Sequence, residues 1–295
     1  MRLFAHLAKK PRGDLGSTSD LQSLASEQLM ALMRHEAHRI EKSIYNDIFR
    51  TKYAIYHGKW ERLASIFAIL EERGIDANEP TVLWAKQIAV AFEQLEEQFI
   101  RPNSRPAEPY VPTRVDEFQR LVATRRSVRV WAAEQPEQDE LSSLGRKLVD
   151  VARWAPNSGN RQPWRFKILI EPEHKELLRG LKEQHCIAAP LLIYVGMDTR
   201  YYGGLTKEHT DLYIDSGAAI MQMVLAAHSA GFGVCWNHFA KDLVASRKKN
   251  RGLYERFAGA MNIPSWVTPI AIVAVGRPAF IPPAPPRRPV DDLLL

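Results

Sequence analysis

The sequence predicts an α+β protein whose first part is all helical. Apolar residues recur at helical spacing up to about residue 100. Residues 101–113 then carry four prolines, which favours an extended, semi-rigid linker. After the linker, helical and strand patterns mix without a regular alternation, which favours a sheet covered by helices over a doubly wound fold. We therefore predict a helical domain with its linker at 1–113 and a second domain at 114–295.

Three helices are predicted in the first part. The first covers about 18–57, where Leu, Ile and Met recur every three or four residues. The second covers about 59–73 and ends at Gly74, a common helix stop. The third has Asn78 as its N-cap and Pro80 in its first turn, and it continues to about residue 100.

The second part mixes both kinds of element. Helical patterns occupy DEFQRLVATRRSV, DELSSLGRKLVDVARWA, HKELLRGLKEQ and the long DLYIDSGAAIMQMVLAAHSAGFG. Strand patterns occupy WRFKILIE, APLLIYVGM and TPIAIVAVGRP, while VCWNHF fits a short strand or a loop. The tail, IPPAPPRRPVDDLLL, is rich in proline.

Composition narrows the class of protein. Apolar residues make up 45% and charged residues 25%, as in ordinary globular proteins. No run is long enough for a membrane helix, and the basic N-terminus lacks the apolar core of a secretory signal. The two cysteines, Cys186 and Cys235, are too few for a disulfide framework and fit buried apolar positions. We expect a cytoplasmic protein with no membrane partner.

The net charge of +6 lies entirely in the second part. Residues 1–113 carry 15 basic and 15 acidic side chains, whereas residues 114–295 carry 25 and 19. The second part is therefore where an anionic ligand is expected. The basic residues form no stripe with interleaved aromatics, so we expect no nucleic-acid partner.

Three arginines follow one another closely in TRRSVRVW. We call residues 125–129 the arginine segment; it contains Arg125, Arg126, Ser127 and Arg129. Guanidinium groups match a phosphate or a carbonyl edge, and the serine adds a donor. The alternative is a solvated basic helix end, where cations are favourable.

A rigid polar turn separates two tryptophans in WAPNSGNRQPW. Two prolines fix its ends, and Gly159 permits a backbone that other residues avoid. The amides and hydroxyl that can recognise a heterocycle belong to Asn157, Ser158 and Asn160. The alternative is a turn that caps itself through the same side chains. We call residues 157–162 the asparagine turn.

Two further segments are candidates for ligand contact. In GFGVCWNHFA, glycines end a helix, and the backbone N–H groups of the turn are available to a ligand. His238 is either a candidate proton donor or a structural residue, and Trp236 fits a packing role. In the tail, Arg287 and Arg288 sit among prolines and either clamp a phosphate or are solvated. In HEAHRIEK, His35 and His38 permit a metal site, but HExxH spacing and a third ligand are absent, so we expect a solvated helix face and no metal.

The order of these motifs resembles the nitroreductase family of flavin enzymes. RRSVR, the asparagine turn before a strand, the long Gly/Ala-rich helix with its glycine turn, VGRP and RRP fall in the family's order over about 115–295. The resemblance implies an α-β-α sandwich with a mixed, mainly antiparallel sheet, preceded here by an all-α domain. It also implies a homodimer with FMN at the subunit interface.

The resemblance assigns roles to individual residues. The arginine segment would hold the FMN phosphate and the pyrimidine edge of the ring, and Arg287 and Arg288 would return to the phosphate. The asparagine turn would contact flavin, partly from the other protomer. The loop beside flavin N5 would comprise Val234, Cys235 and Trp236, with chemistry at N5 and no obligatory catalytic side chain.

The implied function is reduction of a small planar, electron-poor acceptor, of nitroaromatic or quinone type, by NAD(P)H in ping-pong fashion. No GxGxxG follows a strand, so the nicotinamide would stack on the flavin itself. Two alternatives stay open. One is a flavin dehydrogenase on the same scaffold that acts on a peptide or sugar, with the helical domain as a docking module. The other is a non-enzymatic flavin-binding interaction protein. Separately, HRIEK resembles extended family proteins of polysaccharide gene clusters.

Overall fold

The computed structural model describes residues 18–44, 48–98, 114–202, 209–239 and 248–295. The chain divides into two compact units. The first comprises Met1–Tyr110, Asn157–Pro163 and Arg200–Gly204; the second comprises Val111–Pro156, Trp164–Thr199 and Leu205–Leu295. The predicted linker at 101–113 lies outside the described residues, and the boundary after residue 113 stays a prediction.

The first unit is built from helices. They are α1 (Thr18–Ser23), α2 (Ser26–Ile44), α3 (Ile48–Glu72) and α4 (Pro80–Gln98). The apolar stripe of α2 points inward, because Leu29, Met33, Ala37 and Ile40 are all fully buried. They pack against the apolar residues of α3 and α4 in one core.

Two boundaries in the first unit differ from the sequence prediction. The predicted helix at 18–57 is divided, because the side chain of Gln28 accepts a hydrogen bond from the amide of Ala25 and starts a new helix there. The predicted second helix is part of α3. At the start of α4 the cap is Glu79 rather than Asn78, since a Glu79 carboxylate oxygen accepts from the amide of Val82 at 3.0 Å.

The second unit combines helices with an antiparallel sheet. Its helices are α5 (Val115–Thr124), α6 (Gln138–Ala152), α7 (Pro172–Glu176), α8 (Gln184–Ile187), α9 (His209–Ser229) and α10 (Lys248–Ala260). Its strands are β1 (Val130–Trp131), β2 (Trp164–Leu169), β3 (Leu191–Asp198), β4 (Gly233–His238), β5 (Val267–Gly276) and β6 (Pro278–Phe280). Short 3₁₀ turns occupy Ser158–Asn160, Thr199–Tyr202 and Val290–Leu293.

The main sheet has the order β2-β3-β5-β4, with every neighbouring pair antiparallel. All eight residues of β3 are buried, as its continuous apolar pattern predicts for a central strand. Strand β4 is therefore at an edge of this sheet. A separate short ribbon pairs β1 with β6.

Helices cover both faces of the sheet. On one face α6 approaches β2 so closely that a Cβ at Gly145 would lie 3.1 Å from the Ile168 side chain. On the other face Phe257 and Met261 of α10 share a core with Leu192 and Tyr194 of β3. The predicted α+β sandwich preceded by helices is confirmed.

One predicted helix is wrong. HKELLRGLKEQ forms only the end of α7 and a turn, because Gly180 adopts a left-handed φ of 85° that an α-helix does not accept. Helix α10, in contrast, was not predicted. Among the described residues, no helix is long and apolar enough to cross a membrane.

Candidate flavin site

The arginine segment lies beside the edge strand β4. Helix α5 ends at Thr124, and Arg125 follows in an extended conformation with φ −61° and ψ 135°. Ser127 then forms a parallel bridge with Val234, and the amide of Val128 donates to the carbonyl of Val234 at 2.9 Å. This long-range pairing brings two motifs together that are about a hundred residues apart in the sequence.

Gly233 allows this pairing to be close. A Cβ at that position would lie 2.8 Å from three side-chain carbons of Val128, well inside contact distance. The glycine is therefore required by the close approach of the Val128 side chain, not by its own dihedral angles.

A cleft of about 330 Å³ opens where the arginine segment meets β4. Its lining residues are Arg125, Ser127, Met221, Val224, Val234, Trp236 and His238. Side chains of a strand alternate between its two faces, so Val234, Trp236 and His238 share one side of β4. Both Trp236 and His238 are exposed. The cleft thus has a cationic and hydroxyl wall and an apolar wall.

The guanidinium of Arg125 has no hydrogen bond or ion pair with any described residue, although it is half-buried. No carboxylate lines the cleft within the part of the chain that the structure describes. A half-buried cation without an anionic neighbour is the arrangement expected of a phosphate or carbonyl-edge site.

A smaller cleft, of about 160 Å³, shares Arg125 with the first. It also holds Arg126 and His228, whose ring lies 3.0 Å from the hydroxyl of Thr124. Burial, followed by the charges of Arg125 and Arg126, lowers the pKa of His228. The guanidiniums of Arg125 and Arg126 therefore both affect His228, and the electrostatic potential in this cleft is positive.

The other arginines of the segment have protein partners. Arg126 donates to the carbonyls of Ala123 and Arg125 at 2.6 and 2.7 Å, which caps the end of α5. Arg129 is exposed, and its guanidinium lies 3.4 Å from the carbonyl of Ser127. The alternative interpretation of the arginine segment, a basic helix end, therefore fits Arg126, whose guanidinium caps α5. It fits Arg125 less well.

Cys235 points away from the cleft. Its side chain is buried in the core on the opposite face of β4, with Sγ 3.7 Å from Nε2 of His185. Burial raises the pKa of this thiol, and the charge of Arg129 only partly offsets the effect. The side chain therefore does not line the cleft, and only its backbone is open to a ligand role.

The asparagine turn belongs to the first unit and is bonded within itself. The amide of Gln162 donates to Oδ1 of Asn157 at 2.9 Å, and the Gln162 side chain reaches Oδ1 of Asn160 at 3.3 Å. Ser158 accepts hydrogen bonds from Arg161 through its carbonyl and its hydroxyl, at 2.9 and 3.1 Å. These are the bonds of the self-capping turn that the sequence left as an alternative.

The tail arginines are exposed and line neither cleft. Arg287 donates to the carbonyl of Pro286, and Arg288 to the carbonyl of Asp292 at 2.7 Å. A role for them at a phosphate stays a prediction. In the HEAHRIEK segment, His38 lies 3.2 Å from Glu41, and no group of three metal-ligating residues occurs among the described positions. The expected solvated helix face is wrong, because Glu36 is buried and paired with Lys59, and Nδ1 of His35 is also buried.

Two lining residues were not predicted from the sequence. Met221 and Val224 come from α9, which is apolar on nearly all sides. An apolar helix gives no periodic signal for the face that meets a ligand, so these positions could not be selected in advance.

The second unit contains most of the residues that match a known protein family. Residues 122–185 and 175–277 match the model of the nitroreductase family, more than half of the chain. A protein of Archaeoglobus fulgidus, provisionally named NADH dehydrogenase/NAD(P)H nitroreductase, is 26% identical over 170 residues, 56% of this chain and 87% of its own. A Methanothermobacter thermautotrophicus protein with the same provisional name is 28% identical over 167 residues, 55% and 77% of the two chains.

Comparison with solved structures gives matches over a similar share of the chain. One is the crystal structure of a provisionally named nitroreductase from Desulfovibrio desulfuricans in complex with FMN. It is 24% identical, covers 60% of this chain and 94% of its own, and has a TM-score of 0.48.

Proposed function

Because the chain belongs to the nitroreductase family, we propose that it is an FMN-dependent oxidoreductase. It uses NAD(P)H to reduce a small planar, electron-poor acceptor of nitroaromatic or quinone type. The observation that carries the proposal is the half-buried guanidinium of Arg125, which has no partner among the described residues and lies in a cleft with an apolar wall and no described carboxylate.

The donor set fits FMN. A phosphate dianion needs cationic and hydroxyl donors, which Arg125 and Ser127 supply. A flat aromatic ring needs an apolar surface, which Met221, Val224 and Trp236 supply. The cleft volume also falls within the ordinary range for sites of small ligands.

Each residue then has a binding or shielding role. Arg125 binds an anionic oxygen of the cofactor, with Arg126 and Arg129 adding positive potential, and Arg287 and Arg288 serve the phosphate. The asparagine turn supplies its amide groups to the flavin. The backbone of Val234, Cys235 and Trp236 runs past the ring, and His238 is the candidate proton donor at the mouth of the cleft.

The edge of β4 offers a backbone donor. The carbonyl of Val234 accepts from Val128 on the side away from β5, and peptide groups two residues apart point the same way. The amide of Trp236 is therefore on this outer edge, where it can donate to a ring nitrogen. FMN supplies the hydride chemistry that no side chain provides, and the residues around it orient it and exclude water.

The test is an absorption spectrum of the purified protein during anaerobic titration with NADPH or NADH. We expect a yellow protein whose band near the flavin maximum bleaches on reduction and returns when a nitroaromatic or quinone is added. Colourless protein that takes up no added FMN would contradict the proposal. Flavin that is bound but stays oxidised with both nucleotides would exclude the NAD(P)H-dependent reaction.

A homodimer is part of the proposal. Helix α5 has an apolar face but no buried residue, since Val115, Phe118 and Val122 are 73, 52 and 44% exposed. These three positions lie on one side of the helix. A second copy of the chain is the partner that the family resemblance implies for such a face.

A further inference from the structure

The asparagine turn has a backbone that requires outside support. Gly159, Asn160 and Gln162 all have left-handed φ angles, of 61°, 51° and 54°. Two of them are not glycine, and such residues keep this conformation only where their surroundings impose it.

Arg34 of α2 supplies one such contact within the first unit. Its Nη2 donates to the carbonyl of Arg161 at 3.1 Å, in the middle of the turn's left-handed stretch. Its Nη1 donates to the hydroxyl of Thr81 at 3.3 Å, so α4 also holds this guanidinium in place. The turn is thereby bonded to two helices of the first unit.

His35, the next residue on α2, supplies a second contact. A Cβ at Gly159 would lie 1.9 Å from Nδ1 of His35, so the ring lies directly against the glycine backbone. This Nδ1 is buried and has no hydrogen-bond partner among the described residues. Burial and then the charge of Arg161 lower the pKa of His35 to about 3, so the ring is neutral at ordinary pH.

Arg161 closes the arrangement from within the turn. Its side chain is 6% exposed, its guanidinium donates to Ser158, and it lies over the ring of Tyr202 at 5.6 Å. The carbonyl of Arg161 therefore accepts from Arg34, and its buried guanidinium lies over the ring of Tyr202. Both contacts are within the first unit.

We propose that Arg34 and His35 of α2 are positioning residues that hold the asparagine turn in the conformation in which it serves the flavin. The N-terminal helices thus act as the support of a cofactor-binding turn. The flavin part of this inference rests on the proposed function, whereas the support of the turn does not.

The test compares Arg34→Ala with Arg73→Ala in the full-length protein. Arg73 is a matched control because it also donates to two backbone carbonyls of the first unit, those of Leu24 and Gln22, each at 2.7 Å, but does not contact the turn. Amide hydrogen exchange of residues 157–162, measured without added flavin, should be about 10-fold faster in Arg34→Ala, since a hydrogen bond from a charged group is lost. It should be unchanged in Arg73→Ala. Arg34→Lys keeps one donor and should restore most of the protection.

FMN affinity, followed by quenching of flavin fluorescence, supplies the second readout. Arg34→Ala should bind FMN about 10-fold more weakly than Arg73→Ala at equal melting temperature. Equal exchange of the turn in the two variants would overturn the support of the turn. Faster exchange with equal FMN affinity would overturn the positioning role. If neither variant nor the unaltered protein takes up FMN, the proposed function fails. The exchange result still decides whether Arg34 supports the asparagine turn.

Glycine variants test the His35 contact separately. Gly159→Ala and Gly74→Ala both place a side chain at a left-handed φ, of 61° and 72°, but nothing lies within 4 Å of a Cβ at Gly74. We expect faster exchange at the turn, and a changed His35 imidazole signal by NMR, only for Gly159→Ala. An unchanged His35 signal in Gly159→Ala would contradict the contact.

Discussion

At the scale of single residues, the cleft combines the guanidinium of Arg125 with apolar neighbours. Arg125 differs from Arg126 and Arg129 in that none of the described residues accepts a hydrogen bond from its guanidinium. A charged donor that is half-buried and unsatisfied costs free energy unless a ligand restores its bonds. Neighbouring arginines of one motif therefore have different surroundings, which their own positions in the chain do not reveal.

Replacing Arg125 by alanine should weaken FMN binding by about 10- to 100-fold, because a charge-assisted hydrogen bond contributes about 1.5–3 kcal/mol. The dissociation constant is measured by flavin fluorescence. Arg146→Ala is the control, since this exposed arginine on α6 lines neither cleft. Equal affinity of the two variants would remove Arg125 from the cofactor site.

His35 should make stability depend on pH. Its pKa is about 3 in the folded chain and near 6.5 when unfolded, so the unfolded state binds more protons between these values. The free energy of unfolding should therefore fall as pH drops below about 6.5, by up to about 1.4 kcal/mol per pH unit. The cations that add to the effect of burial are Arg161, Arg39, Lys59 and His38.

The measurement is urea unfolding at pH 7, 6 and 5. His35→Gln should lose part of this pH dependence, whereas His57→Gln, on α3, should keep it. Parallel curves for the unaltered protein and His35→Gln would show that the ring of His35 is not held neutral.

At the scale of elements, the pairing of the arginine segment with β4 creates the cleft. The contact depends on Gly233, where the Val128 side chain occupies the space that a Cβ would need. The edge position of β4 matters as well, because a central strand would have no free side for Ser127 and Val128.

Gly233→Ala should lower the free energy of unfolding by about 1–3 kcal/mol, the usual cost of overpacking, and should also weaken FMN binding. Gly252→Ala is the matched control: this glycine lies in α10 and nothing lies within 4 Å of its Cβ position. Because alanine favours a helix, the control should be neutral or more stable by up to about 1 kcal/mol. Both values come from denaturant unfolding. Loss of stability in Gly233→Ala without loss of affinity would separate the pairing from the site.

At the scale of the whole molecule, the second unit leaves apolar helix surface uncovered. Helix α9, which is a neighbour of α5, also carries exposed apolar residues, namely Tyr213, Ile214 and Met221. Uncovered apolar side chains at helical spacing on two helices of one unit favour burial against another chain.

Val122→Glu should convert a dimer into a monomer, because it places a charge in an apolar interface. Light scattering after gel filtration measures the mass. Leu83→Glu, at a comparably exposed apolar position on α4, should leave the mass unchanged. A monomer for the unaltered protein at micromolar concentration would contradict the proposed homodimer.

The sequence by itself predicted the strands of the main sheet and most of the helices, although it missed α10 and extended a helix over Gly180. The continuous apolar runs of β3 and β5 and the glycine after α9 are local signals, and the motif order indicated the family. What local signals could not decide is which long-range partner each motif meets. The sequence predicted a buried Cys235, but it did not show that Trp236 faces the cleft. No pattern in the asparagine turn pointed to Arg34 of α2. These outcomes depend on contacts between distant segments, so only the tertiary structure decided them.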